Sequence, residues 1–457
     1  MALSTRSKFR NVTLVGALGL SLTLAACGGG SEPSDDATGG AAAGGDCAAY
    51  TQYGNLKGKT ISIYAGIVAP EDAPYKESYE PFEKCTGATV KYSADKTFET
   101  QILVRARAGN PPDIAYVPQP GLLKQLVGTG KVVEAPTETS ANVDKFWGAD
   151  WKAYGTVDGK FYSAPNSASV KSLVWYSPSE FKDKGYTVPT TLDELKALTD
   201  KIAGEGEHKP WCAGIGSGDA TGWPVTDWME DFMLRLSGAD VYDKWVNHEI
   251  AFNAPEPTAA LDAVGAYLKN PAYVNGGFGD VKSVASTIFQ DGGQPILEGA
   301  CSLHRQASFY AANWPEGTKV AQDGDVFAFY LPGKTADEKP VLGAGEFTTA
   351  FASRPEVKAF QTWLTTDTYA NIRAKLSPSG GWVSANKGLD PASLASPIDK
   401  LAASLFQDPK TVFRFDGSDQ MPAAVGSDAF WKQATSWITG QSTKDTVDKI
   451  EAAWPKS

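Results

Sequence analysis

Thr60-Ile-Ser-Ile-Tyr-Ala-Gly-Ile67 reads as a buried strand, and what surrounds it decides the fold class. Residues 74–84 follow as a helix that stops near Thr86-Gly87, and residues 88–92 as a second short strand. From 97 to 108 the apolar residues Phe98, Ile102, Leu103 and Ala106 recur at helical spacing while Arg105 and Arg107 stay outside, so a second helix is expected. Gly109-Asn110-Pro111-Pro112 ends it; residues 113–117 (DIAYV) make a third strand and 121–127 a short third helix. Strands alternating with helices build a parallel sheet with helices on its faces. Ligands of such sheets sit beyond the carboxyl ends of the strands, here residues 66–72, 93–96 and 118–120.

Upstream, Arg6, Lys8 and Arg10 precede an apolar run from Val12 to Ala26 without an acidic side chain, the pattern of a secretory signal. The run is short for a membrane span of about 20 residues. It ends in Leu24-Ala25-Ala26-Cys27, which resembles a bacterial lipoprotein lipobox. By that resemblance residues 1–26 are removed and Cys27 carries lipid, anchoring the mature chain on the extracytoplasmic face of the cell membrane; more than one acyl chain makes such anchoring stable. Residues 27–46 hold only small and polar side chains around Cys27 and cannot bury enough surface to offset ordering, so they are expected to form a flexible tether. About 410 residues remain, enough for two or three domains. The net charge of −11 becomes about −14 once the leader is removed, which argues against nucleic acid and anionic lipid as partners.

Beyond Val132 the pattern changes. Trp147, Trp151 and Tyr154 lead into a turn at Val157-Asp158-Gly159-Lys160, then into extended runs at 161–164 and 172–177. The small, polar Pro165-Asn166-Ser167-Ala168-Ser169 between them suits a crossing between lobes. Residues 191–203 form an amphipathic helix with Thr190 or Thr191 as cap and Asp193-Glu194 in its first turn. The lipoprotein leader, the first strand and helix, Gly-Asn-Pro-Pro-Asp-Ile before the third strand, and Phe-Tyr-Ser-Ala-Pro followed by Leu-Val-Trp-Tyr-Ser together resemble family 1 extracellular solute-binding proteins of sugar ABC importers, nearest to the α-glucoside binders. The resemblance implies an α/β, two-lobe periplasmic-binding-protein-like fold of the maltose-binding-protein type, with hinge strands between the lobes and ligand enclosed there. Lobe 1 is expected to take residues 47–166 with about 333–375, and lobe 2 residues 167–332 with about 376–457. The implied partners are a sugar and ABC permease subunits, with no cofactor and a monomeric chain.

With Cys27 spent on lipid, Cys47, Cys85, Cys212 and Cys301 remain in an oxidising compartment, where two disulfides are expected. Three pairings are possible; Cys47–Cys85 with Cys212–Cys301 is preferred because each bridge stays within one lobe. A zinc site is disfavoured, since there is no C-x-x-C pair and His208, His248 and His304 lack ligand spacing.

A buried sugar needs hydrogen-bonding partners for its hydroxyls and aromatic planes against its C–H faces. Trp223, just before Pro224, falls outside the stripe Val225, Trp228, Met229, Phe232, Met233 and Leu236, so its indole can face a cleft at the helix entrance. Trp382 follows Gly380-Gly381 in a loop resembling the family's late cleft-lining loop. Glu71, Asp95, Lys96 and Gln119 follow the first three strands and should lie near the rim. Arg305 and Gln306 resemble a family stretch that reaches ligand, and Glu346 sits where the chain should recross to the first lobe after a strand at 326–330. His304 reads as a structural histidine. Closing helices are expected from Val357, Phe360, Trp363 and Leu364, from residues 401–406, and from Val447, Ile450 and Trp454 behind a Ser442 cap.

No enzyme motif completes. Ser217 lacks the glycine of a nucleophile elbow, and there is no P-loop, H-E-x-x-H or full G-x-G-x-x-G. Two alternatives stay open: a tethered glycosidase, which needs only two carboxylates in an aromatic cleft, and a binder of a glycerophospho compound or other polar solute, which should show a cationic cluster there.

Overall fold

The computed structural model describes residues 45–277 and 281–455. The stretches read from sequence as a signal peptide and, up to residue 44, as a tether, with Cys27, lie outside them. The first strand, β1 (Thr60–Ala65), buries Ile61 and Ile63 and runs parallel to β2 (Thr89–Ala94), Thr60 opposite Thr89 through Ala65 opposite Ala94. On its other side lies β3 (Ile114–Val117), also parallel. The connecting helices are Ala73–Ser78, Glu80–Thr86 and Phe98–Arg107. The expected 74–84 helix is thus two short ones meeting at Tyr79, because Pro81 at the start of the second has no N–H to continue the first.

The turn at 157–160 is a tight hairpin of β4 (Thr156–Val157) and β5 (Lys160–Phe161), with Asp158 and Gly159 both at positive φ. The polar crossing is itself strand β6 (Ser163–Val170). Two residues later, after Lys171-Ser172, β7 (Leu173–Tyr176) belongs to a different sheet that also holds β8 (Lys209–Cys212), β9 (Val274–Asn275), β10 (Cys301–Arg305) and β11 (Phe327–Tyr330), in the order β11-β7-β10-β8-β9. The chain returns along β12 (Lys339–Ala350), antiparallel to β6 with a register shift at Glu346/Phe347, and antiparallel to β3. These are the hinge strands between two α/β lobes. Gly345 lets them meet: a Cβ there would lie 2.4 Å from the Ser167 carbonyl oxygen.

The last strand, β13 (Thr411–Phe415), pairs parallel with the first half of β12 and so joins the six-stranded sheet of the first lobe. It lies within the 376–457 stretch expected in the second lobe; backbone pairing with a long strand that serves both regions outweighs its position in the chain.

Thr191 caps the Leu192–Glu205 helix by accepting from the Glu194 amide at 3.2 Å, and the Glu194 carboxylate accepts from the Thr190 amide at 2.7 Å. The Trp223–Ser237 helix departs from its expected single apolar stripe. Leu236 is 40% exposed, while Asp227, Glu230, Asp231 and Arg235 are buried on the other side. Their charges are met by buried partners: Arg235 donates to Asp231 at 2.6 Å, and Arg305 Nη1 to Asp227 at 3.0 Å. The closing helices bury Val357, Phe360, Trp363 and Leu364, then Val447 and Ile450 behind the Ser442 cap, with Trp454 stacked on the His248 ring at 3.9 Å. Cys47 is bonded to Cys85 and Cys212 to Cys301, with Cα separations of 5.3 and 5.6 Å. No helix among the described residues is long and apolar enough to cross a membrane.

Candidate functional site

Between the two sheets lies a cavity of about 550 Å³, within the range of small-molecule sites. The first lobe meets it at its strands' carboxyl ends, as parallel-sheet geometry requires: Gly66 and Ile67 beyond β1, Lys96 beyond β2, Pro118 and Gln119 beyond β3. The hinge strands line it with Ser167-Ala168-Ser169 and Ala344-Gly345-Glu346. The opposite wall is aromatic: Trp223, Phe289, Phe309, Trp314, Trp382 and Trp431.

Of the residues proposed from sequence, Glu71, Lys96, Gln119, Trp223, Glu346 and Trp382 line this cavity. Trp223 stands half-buried at the first position of its helix, edge-on to Phe289 with centroids 5.1 Å apart. Trp382 follows Gly380 and Gly381, whose φ of +89° and +100° put the turn in a region open to glycine. The turn is held from behind by Asp399, which accepts from the Gly381 amide at 2.9 Å.

Three expectations are corrected. Asp95 does not line the cavity; it accepts from the Tyr64 hydroxyl at 2.6 Å and the Thr97 amide at 2.8 Å, and these bonds outweigh its desolvation and lower its pKa. Arg305 is fully enclosed and spends its guanidinium on Asp231, with Nε at 3.0 Å, and on Asp227. Gln306 is buried too, its Oε1 accepting from the Ala307 amide at 2.8 Å. Neither residue lines the cavity, and the Asp227 and Asp231 carboxylates on the facing helix hold the Arg305 guanidinium in the interior. His304 is buried with Nδ1 3.0 Å from the Cys212 carbonyl oxygen, and burial pushes its pKa down to about 4.

Sequence reasoning missed Tyr75, Glu99, Lys171, Trp314, Arg373, Asp416, Asp419 and Trp431, all of which line the cavity. Lys171 alone carried a signal, standing two residues beyond the crossing at 165–169. Its ammonium donates to Asp227 at 2.8 Å and pairs with Asp416; desolvation opposes its charge, but these carboxylates prevail and raise its pKa. It lies 5.4 Å from the Trp223 ring centroid.

The cavity is rich in carboxyl groups that resist ionisation. Burial, with Glu99 and Glu71 nearby, pushes the Glu346 pKa up to about 8. Burial also raises Glu71 and Glu99, despite the nearby Lys96, and lowers Lys96 itself. Carboxyl side chains outnumber cationic ones along the walls, and Lys171 is already paired. Several polar atoms of the wall are buried without a protein partner: the indole N–H groups of Trp314, Trp382 and Trp431, and Gln119 Oε1. Indole N–H groups away from the cavity, those of Trp147, Trp245, Trp363 and Trp454, are unpaired in the same way. Among the described residues no group of three His, Cys, Asp or Glu side chains is placed to hold a metal ion.

The family model described as bacterial extracellular solute-binding protein matches residues 65–371. The α-glucosides-binding periplasmic protein AglE of Rhizobium meliloti is 39% identical over 88% of this chain and 88% of its own length. The osmoprotective compounds-binding protein GgtB of Synechocystis is 34% identical over 87% of this chain and 93% of its own. Among solved structures, the solute receptor AcbH matches with a TM-score of 0.72 at 19% identity, covering 86% of this chain and 97% of that one. Maltose-bound MalE3 of T. maritima matches with a TM-score of 0.67 at 16% identity, covering 86% and 98%.

Proposed function

The chain belongs to the bacterial extracellular solute-binding proteins, and from that premise we propose that it captures an α-glucoside or related oligosaccharide between its lobes and delivers it unaltered to the permease of an ABC importer. The observation that carries the reading is the cavity wall. It offers aromatic faces for the C–H surfaces of a pyranose and polar side chains, among them Lys96, Gln119, Glu346 and Arg373, for its hydroxyls. The names of the two similar proteins point toward glucosides and osmoprotective solutes.

A glycerophospho ligand calls for a cluster of free cations, and Lys171 is already spent on Asp227 and Asp416. Closure supplies the mechanism: a ligand touched by both lobes only in the closed arrangement shifts the balance toward it, and the closed surface is what a permease reads. Anchoring through a lipidated Cys27 and a monomeric state complete the proposal.

Calorimetry with maltose, trehalose, sucrose and glucose tests it. Tight binding of a disaccharide with thermal stabilisation and no released monosaccharide supports capture; released glucose would mean hydrolysis, and no binding across the panel would overturn the sugar assignment.

A further inference from the structure

One buried cation of the cavity has no ionic partner. Arg373, in the last turn of the Asp367–Lys375 helix, is 3% exposed and lines the cavity, yet forms no salt bridge among the described residues. Its guanidinium lies between two rings, 4.3 Å from the Tyr75 centroid and 5.3 Å from that of Trp382. Nη1 donates to Ser377 Oγ at 2.6 Å. Nε is buried without an acceptor, and Nη2 has none among the described residues.

A guanidinium carries five N–H donors in a rigid fork. Leaving the buried Nε unpaired is costly. The helix C-terminus and the aromatic faces offset part of the charge, but neither accepts an in-plane N–H. The Nε/Nη2 edge therefore calls for two oxygen acceptors side by side, brought by the ligand. A carboxylate or phosphate would fit the fork, as would two adjacent hydroxyl oxygens on a ring. The cavity wall chooses between them: Trp223, Phe289 and Trp314 suit the C–H surface of a sugar ring, which favours ring hydroxyls as the acceptors.

Building on the sugar-binding reading, we propose that Arg373 is a specificity-determining residue whose Nε/Nη2 edge holds two vicinal hydroxyl oxygens of an uncharged glycosyl unit. Trp382 and Tyr75 clamp the guanidinium in the plane that this grip requires, and the Asp399 bond to Gly381 keeps Trp382 in place. Lysine would keep the charge and lose the fork.

The test compares wild type, R373K and R373M by calorimetry against the tightest-binding disaccharide, its monodeoxy analogues and the corresponding glucuronide, with ligand-free melting as the folding control. The expected result is a loss of about ten- to a hundredfold in affinity for both variants, with ligand-free melting nearly unchanged in R373K. One or two deoxy analogues should bind wild type about tenfold more weakly yet bind R373M no worse than the parent sugar does. Equal sensitivity of wild type and R373M to every deoxy analogue, or undiminished binding by R373K, overturns the proposal while leaving sugar capture intact. A glucuronide that binds wild type more tightly than the neutral sugar overturns the uncharged-diol form in favour of an anion. A wild type that binds no saccharide overturns this proposal together with the reading on which it rests.

Discussion

Asn313 Nδ2 donates to Glu71 Oε1 at 3.2 Å, joining a short helix of the second lobe to the loop beyond β1 of the first. Nearby, the Lys96 ammonium lies 5.0 Å from the Phe289 ring centroid, and a Cβ on Gly218 would touch the Lys96 carbonyl oxygen at 3.1 Å. These contacts bridge the two lobes beside the cavity, so the described arrangement is a closed one.

Asn313 does not line the cavity, so its removal reports on closure rather than on ligand contact. N313A should lose about one hydrogen bond's worth of closed-state stability, about 1 kcal/mol, and bind sugar about fivefold more weakly. Small-angle scattering should show ligand-free N313A more expanded than wild type, with the two converging at saturating ligand. Identical curves without ligand would refute the contact's role.

Trp223 and Trp382 line the same cavity but should respond differently to truncation. Trp223 is half-buried, and W223A should cut sugar affinity by about tenfold or more with a small change in melting temperature. Trp382 is 3% exposed, and W382A should also destabilise the fold by about 3–5 kcal/mol. Calorimetry and chemical denaturation on both variants separate the two effects.

Glu346 makes stability depend on pH in a direction opposite to that of a paired carboxylate. Its pKa is about 8 when folded, against an ordinary glutamate value near 4.3 in the unfolded chain. Below about pH 4 both states hold the proton and nothing is lost. As pH rises toward 8 the unfolded chain gives up its proton while the folded one retains it, so this group's contribution to stability falls and then levels off. E346Q escapes that loss. Its advantage over wild type should grow from near zero at pH 4 to about 2–4 kcal/mol at pH 8. A difference that stays flat across denaturation midpoints from pH 4 to 9 would contradict the assignment.

Arg305 should behave as a structural residue. R305M leaves Asp227 and Asp231 short of a buried partner, a change that costs about 3–5 kcal/mol. Any weakening of ligand binding should be secondary, acting through Asp227 on Lys171. A variant as stable as wild type but unable to bind sugar would restore the direct role that the sequence suggested.

Cys27 offers a test of attachment. C27S should appear in the medium and incorporate no labelled fatty acid, whereas the wild type should remain with the membrane and take up label. Equal release of both would remove the lipid anchor from the account.

Local chemistry determined much of this protein before any fold was known. β-Branched runs bounded by Gly and Pro set the strands, Thr191 and Ser442 mark the caps they provide, and the small residues at 165–169 mark the crossing. The cavity residues at the first lobe's strand ends were legible for the same reason, since a parallel sheet places its ligand by topology alone. What only the tertiary structure decided is where long-range charges come to rest. Arg305 turns into the interior because Asp227 and Asp231, 78 and 74 positions away, wait there. Arg373 faces the cavity because the elements around it supply aromatic planes and no bonded carboxylate. Backbone propensity is a property of neighbours in the chain, whereas the pairing and desolvation of a charge belong to neighbours in space, and only the packed fold names those.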